Sequence, residues 1–249
     1  MKFINSLQFI FLIGCAACLC TRCNGKDEVE FPDEPYIEFR GFKFVDVEGV
    51  ANPDTLKFSI YFRDGDFDLG LKGTEQGPPY NLYNYYLKDG TVAPSFQLDQ
   101  VKSMIIFSDK KTINPDTLPS FDYPFNCTNW EIVRDDNYMV LDTVYRTINP
   151  GGLNFMFDFY LSEGNGPFEK MITCTRGFNG RFEKPFQNKP GSPFQFRKIS
   201  DREGILIFSI ASSSIKSYFK GKNIKSKIKI KDRALNSSNE VETDIFTLD

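Results

Sequence analysis

Hydrophobic and polar side chains alternate along much of this chain. Leu56, Phe58, Ile60 and Phe62 are separated by Lys57, Ser59 and Tyr61; Leu153, Phe155, Phe157, Phe159 and Leu161 are separated by Asn154, Met156, Asp158 and Tyr160. Near the end, Ile224, Ser226, Ile228 and Ile230 alternate with Lys225, Lys227, Lys229 and Lys231. Successive side chains of an extended chain point to opposite faces, so each run predicts a strand with one face on a core. Further strands are predicted over Ile37–Val45, Ser103–Phe107, Tyr138–Tyr145, Gly204–Ala211 and Val241–Leu248. Asn52-Pro53-Asp54, Lys88-Asp89-Gly90, Asn149-Pro150-Gly151-Gly152 and Gly164-Asn165-Gly166 supply turns between them. No window of a dozen residues keeps a helical period; Gln97–Ile106 comes nearest.

Many short strands with Gly/Pro turns predict an all-β fold built of antiparallel β-sandwiches. The 26 phenylalanines agree, because aromatic side chains favour pleated, half-buried surfaces. Two sandwiches are expected, over residues 35–125 and 126–249, divided somewhere in Pro115–Asp136. One irregular sandwich is the alternative. A body of this size buries roughly 70% of its unfolded surface and needs neither metal nor staple merely to fold.

The first residues follow a different rule. Lys2 is the only charge before Arg22, and Phe3 to Leu19 is mostly apolar with small residues around a cysteine. That is the pattern of a secretory signal over residues 1–14, with an uncleaved N-terminal anchor as its rival. Cys15, Cys18, Cys20 and Cys23 have a spacing that can bind zinc, but they sit in an apolar leader without a second half-site. Leu12-Ile13-Gly14-Cys15 instead resembles the lipobox of bacterial lipoproteins. The resemblance implies lipid on Cys15, with Cys18 as second choice, and a membrane held through that lipid as partner. Residues 15–34 then form the anchor and an acidic linker. Lys26-Asp27-Glu28 resembles the acidic export tag of surface lipoproteins in the Bacteroidota, although it stands farther behind Cys15 than such tags do. An outer-membrane lipoprotein is implied, and surface-exposed and periplasm-facing placements both stay open.

Two wider resemblances concern the body. Ile230-Lys231-Asp232-Arg233-Ala234-Leu235-Asn236-Ser237-Ser238-Asn239 is similar to the terminal hairpin of bacterial immunoglobulin-like domains. That stretch, with Phe31-Pro32 to Phe44, Phe62 to Leu71 and Phe178-Asn179-Gly180-Arg181-Phe182, resembles a group of Bacteroidota lipoproteins. The resemblance implies an immunoglobulin-like sandwich and an exported address, and carries no activity with it.

Composition limits the chemistry. The chain contains no histidine, which removes the commonest general base, the Ser-His and Cys-His pairs and most transition-metal sites. A net charge of −3 does not point to nucleic acid. The expected function is a non-catalytic binding or structural module with a glycan or protein partner. The alternative is a carboxylate-dependent, glycosidase-like hydrolase drawing on Asp64, Asp66, Asp68 or Asp158.

Four features could carry binding or stability. Asp64, Asp66 and Asp68 place carboxylates at alternate positions after a strand, a pattern that can converge oxygens on calcium, the one cofactor expected. Glu75 falls at the twelfth position from Asp64, but Leu69 stands where an EF-hand needs glycine, so the loop is not an EF-hand; a solvated acidic turn is the competing reading. Tyr80, Tyr83, Tyr85 and Tyr86 could form a ligand or protein patch, against simple aromatic packing in an irregular strand. Trp130 is expected in a core. The lysines from Lys225 to Lys231 could attract polyanions, or simply cover the exposed face of a strand. Lastly, Cys127 and Cys174 are the only cysteines of the body, and in an oxidising compartment they could form a disulfide or remain buried thiols.

Overall fold

A computed structural model describes residues 31–46, 54–93, 95–111, 118–174, 176–184, 186–212 and 215–248. Cys15, Cys18 and Lys26-Asp27-Glu28 lie outside the described residues. Eleven strands follow in chain order: β1 (Tyr36–Val45), β2 (Asp54–Arg63), β3 (Tyr83–Tyr85), β4 (Trp130–Arg134), β5 (Val140–Ile148), β6 (Phe155–Glu163), β7 (Glu169–Lys170), β8 (Phe194–Lys198), β9 (Glu203–Ser212), β10 (Lys222–Ile230) and β11 (Val241–Glu242). Among the described residues two short helices, α1 (Phe125–Thr128) and α2 (Ile215–Phe219), interrupt them.

The strands form two four-stranded sheets, β1-β2-β9-β8 and β11-β10-β6-β7, and a three-stranded sheet, β3-β5-β4. Pairing within all three is antiparallel. The two larger sheets pack as a β-sandwich because the alternation in their sequences is strict. On β2, Leu56, Phe58, Ile60 and Phe62 are buried while the residues between them are half-exposed. Phe155, Phe157 and Phe159 of β6 and Ile224, Ile228 and Ile230 of β10 face them in one core. Edge-on aromatic contacts lock the layers together: Phe58 of β2 meets Phe157 and Phe159 of β6 at 4.7 and 6.0 Å between ring centroids. Each fully buried phenylalanine contributes about 1.5–3 kcal/mol by leaving water.

The small sheet has its own apolar cluster of Ala93, Val101, Met104, Val133 and Val144. Pro32–Asp249 is nevertheless one compact unit. The expected division into residues 35–125 and 126–249 does not hold, because β2 pairs along its whole length with β9. A strand from each half therefore belongs to one sheet, and the alternative of a single irregular sandwich describes the molecule. Ser103–Phe107 also departs from expectation: it carries isolated bridges at Met104 and Ile106 between two 3-10 turns. Beyond β11, the predicted Val241–Leu248 strand continues only as a bridge from Phe246 to Ile224.

Asn154 and Asn239 each grip the peptide of a residue on another segment, Asn154 beside the isolated bridge between Phe155 and Gly180. Asn154, 1% exposed, donates its amide to Phe182 O at 2.8 Å and accepts from Phe182 N at 2.9 Å. Asn239 treats Ile37 the same way, at 2.9 Å in both directions. Asn154→Ala leaves the Phe182 N–H unpaired in the interior and leaves Phe182 O with only the bond from Leu71 N at 3.3 Å. It is expected to lower unfolding free energy by about 2 kcal/mol in urea denaturation, with an unchanged m-value. A loss below about 0.5 kcal/mol would show that the bridge carries no weight.

Candidate functional site

The end of β2 turns sharply at Asp64. Asp64 N donates to Arg202 O at 2.9 Å and Gly65 N to Pro32 O at 3.1 Å, fixing where the turn begins. Phe67 then adopts φ 65°, a left-handed conformation costly for a bulky residue. That reversal separates the three aspartates. Asp66 is exposed and its Oδ1 accepts from Asp68 N at 3.2 Å. Asp64 and Asp68 turn instead toward the segment after β10, where Asp232 waits. Carboxylate oxygens of Asp64, Asp68 and Asp232 lie within 4.8 Å of one another. Of the sequence-predicted triplet, Asp64 and Asp68 thus come together with Asp232 while Asp66 stays at the surface, because strict alternation belongs to strands and this is a turn.

Backbone donors hold the cluster. Leu69 N donates to Asp64 Oδ2 at 2.9 Å, and Asn236 N to Asp232 Oδ1 at 2.7 Å. Arg233 N and Ala234 N reach the two oxygens of Asp68, at 3.3 and 2.8 Å. An isolated antiparallel bridge between Leu69 and Asp232 completes the seam. Asp64 and Asp232 are buried. Burial pushes the Asp64 carboxyl up to about 7 and the Asp232 carboxyl up to about 6, with their like-charged neighbours adding to the rise. Burial and then Asp66 also raise Asp68, while Lys184 opposes them.

No family model, curated protein or solved structure matches this chain. The chemistry of the site therefore rests on its own geometry.

Beside the cluster a cleft of about 400 Å³ opens, sharing Asp64 and Leu69 as lining. Phe62, Phe67, Phe186 and Phe196 wall it, with Lys184 and Arg202 at Phe67. The Arg202 guanidinium lies 5.1 Å from the Phe67 ring centroid, and Phe186 stacks on Phe196 at 4.2 Å. Flat apolar walls, with both basic and acidic side chains in the lining, suit a ligand that has an apolar face. Sequence reasoning missed this cleft, since its walls come from three separate stretches of chain.

The remaining sequence-predicted residues are dispersed. Tyr80 donates to Arg233 O at 2.7 Å, and Tyr83 lies under the Arg146 guanidinium at 3.8 Å. Tyr85 donates to Glu131, and burial with that bond pushes its hydroxyl up to about 12. Tyr86 shares a hydrogen bond with Thr147 Oγ1 at 2.9 Å. All four are half-buried in local packing rather than gathered on one open face. Trp130 is buried, its indole N–H shared between Pro119 O and Ser120 O.

Of the lysine ladder, Lys225 pairs with Glu242 and Lys227 with Glu240, so acidic residues near β11 neutralise part of it. The ladder's strand lies between β6 and β11 rather than at a sheet edge. Asp158 pairs with Lys170 at 2.7 Å on the other sheet face, remote in sequence and partner from the Asp64 cluster. Cys127, in α1, and Cys174 form a disulfide with Cα atoms 5.3 Å apart.

Proposed function

We propose that this chain is an exported lipoprotein, held to a membrane by lipid on Cys15, whose sandwich is a non-catalytic binding module. The Cys127–Cys174 disulfide carries the reading. Disulfides persist in oxidising compartments, and the apolar leader ending in Leu12-Ile13-Gly14-Cys15 supplies the route to one. The aromatic cleft of Phe62, Phe67, Phe186 and Phe196 supports binding, because it offers shape and flat apolar surface. The three converging aspartates suit one shared cation better than two acids set on either side of a scissile bond.

The test is mass spectrometry of the mature protein from membranes of a Bacteroidota host. A diacylglyceryl cysteine at position 15 is expected as the first residue, and Cys15→Ala is expected to leave the protein unlipidated. An intact Met1 leader, or a first residue beyond Cys18, would overturn the reading.

A further inference from the structure

We infer that Asp64, Asp68 and Asp232 form a calcium site that pins the turn after β2 to the turn after β10. This goes beyond the lipoprotein reading and does not depend on it. Three carboxylates converging would by themselves be an ordinary acidic cluster. The decisive observation is that two of them are buried and incompletely satisfied.

Asp64 is 2% exposed and Asp232 is 1% exposed. Asp64 uses Oδ2 for Leu69 N, and Asp232 uses Oδ1 for Asn236 N. Among the described residues no hydrogen-bond donor reaches Asp64 Oδ1 or Asp232 Oδ2. A buried carboxylate oxygen without a partner is costly, on the order of 1–3 kcal/mol or more for a charged group. Here two occur in one cluster, and no ion pair among the described residues joins a lysine or arginine to any of its three members. Arg233 is adjacent in sequence, but its guanidinium pairs with Glu75 and only its backbone N–H faces Asp68. Lys184 moderates Asp68 from a distance. A bound cation answers both deficits at once: it coordinates the orphan oxygens and cancels the mutual repulsion.

The donor set selects the cation. All three side chains offer hard oxygen and none offers nitrogen or sulfur, which favours calcium or magnesium over zinc or copper. Coordination habit separates the first two. Calcium takes about 6–8 oxygens in flexible geometry, several of them from carboxylates, and three carboxylates whose oxygens lie within 4.8 Å of one another suit it. Magnesium demands near-octahedral order, keeps several waters and is usually held by one or two carboxylates. Three carboxylates leave coordination positions for water, as is usual for calcium.

The site also makes sense of the chain path. Asp68 and Asp232 are far apart in sequence, yet the two turns meet through Arg233 N and Ala234 N on the Asp68 carboxylate. The left-handed Phe67 between Asp66 and Asp68 is the residue whose strain a cation would help to hold.

The full mature chain, freed of metal with EGTA, is titrated with CaCl₂ by calorimetry and followed by thermal unfolding. One calcium per chain and a calcium-dependent rise in Tm are expected. Asp232→Asn and Asp64→Asn are expected to weaken calcium binding at least about tenfold, as loss of a ligand or its support does elsewhere. Asp66→Asn should bind within about threefold of wild type, which separates this site from the alternating loop Asp64-Asp66-Asp68. Should Asp64→Asn fail to fold, Asp232→Asn and the EGTA comparison on wild type still decide. No Tm response of the wild type at about 10 mM calcium, above the range of weak extracellular sites, would overturn the inference. So would equal calcium heats in wild type and Asp232→Asn.

Discussion

Phe58→Ala is expected to lower the unfolding free energy by about 4 kcal/mol. Phe58 lies in the middle of β2 with no exposed surface. Its ring meets Phe157 and Phe159 from the opposite sheet, at 4.7 and 6.0 Å, and Phe246 from the C-terminal segment at 6.3 Å. Truncation removes the transfer energy of the ring and opens a cavity that two sheets, hydrogen-bonded along their length, can only partly close. Aromatic edge contacts are lost with it, each worth about 0.5–1.5 kcal/mol beyond area. For a domain whose total stability is about 5–15 kcal/mol, that is a large fraction. Phe42 is the internal control, since it is 37% exposed and touches the same Phe58 and Phe246 rings from the rim. Urea denaturation should place Phe42→Ala well above Phe58→Ala in stability. The reverse order would mean that the face of β2 assigned to the core is not the one that holds the sheets together.

The same alternation explains which parts of the fold were legible in the sequence. β2 and β6 announce themselves because one residue in two is large and apolar over about seven positions, and β10 does so with Ser226 as the one break. β8, five residues long, carries Phe194 and Phe196 around Gln195 but stands just behind Gly191 and Pro193, where a turn signal dominates. β4 is as short and exposes Ile132, so its pattern is broken. Ser103–Phe107 has the composition of a strand, yet its neighbours satisfy it through single bridges and 3-10 turns, a tertiary choice that propensity does not encode. The pairing of β2 with β9 is equally invisible locally. Hairpin logic favours partners close in sequence, and this partner enters about 140 residues later.

The candidate site divides along the same line. Asp64 and Asp68 were readable as carboxylates behind a strand, whereas Asp232 sits in a stretch that reads simply as a terminal hairpin. Nothing in either segment alone signals that they meet. The one local hint is Asp232 itself, an acid directly following the apolar ladder of β10, at a place where a buried carboxylate needs an external reason. The cleft walls were out of reach for a related reason: Phe62, Phe67, Phe186 and Phe196 each read as ordinary core aromatics.

Removing the Cys127–Cys174 bond is expected to cost about 4 kcal/mol, because it closes a segment of 47 residues. In the chain-entropy account, the bond acts by restricting the unfolded chain, so the native fold should survive its loss with lowered stability. The segment it closes begins at α1, runs through β4 and β5 of the small sheet and β6 of the sandwich, and ends beyond β7. The bond therefore ties the entry to the small sheet onto the edge of the larger one, next to a hydrogen bond from Tyr123 to Ile172 O at 3.0 Å. Cys174 is exposed, which gives a reductant access without prior unfolding. Thermal and urea unfolding of Cys127→Ala/Cys174→Ala should show a lower midpoint with near-native circular dichroism below it, and the reduced wild type should match the double variant. The small sheet, with its own cluster of five buried residues, should lose amide-exchange protection before β2 and β6 do. A thiol reagent that labels both cysteines of the unreduced, denatured wild type would show that the bond does not form. A double variant as stable as wild type would show that the bond forms without constraining the chain.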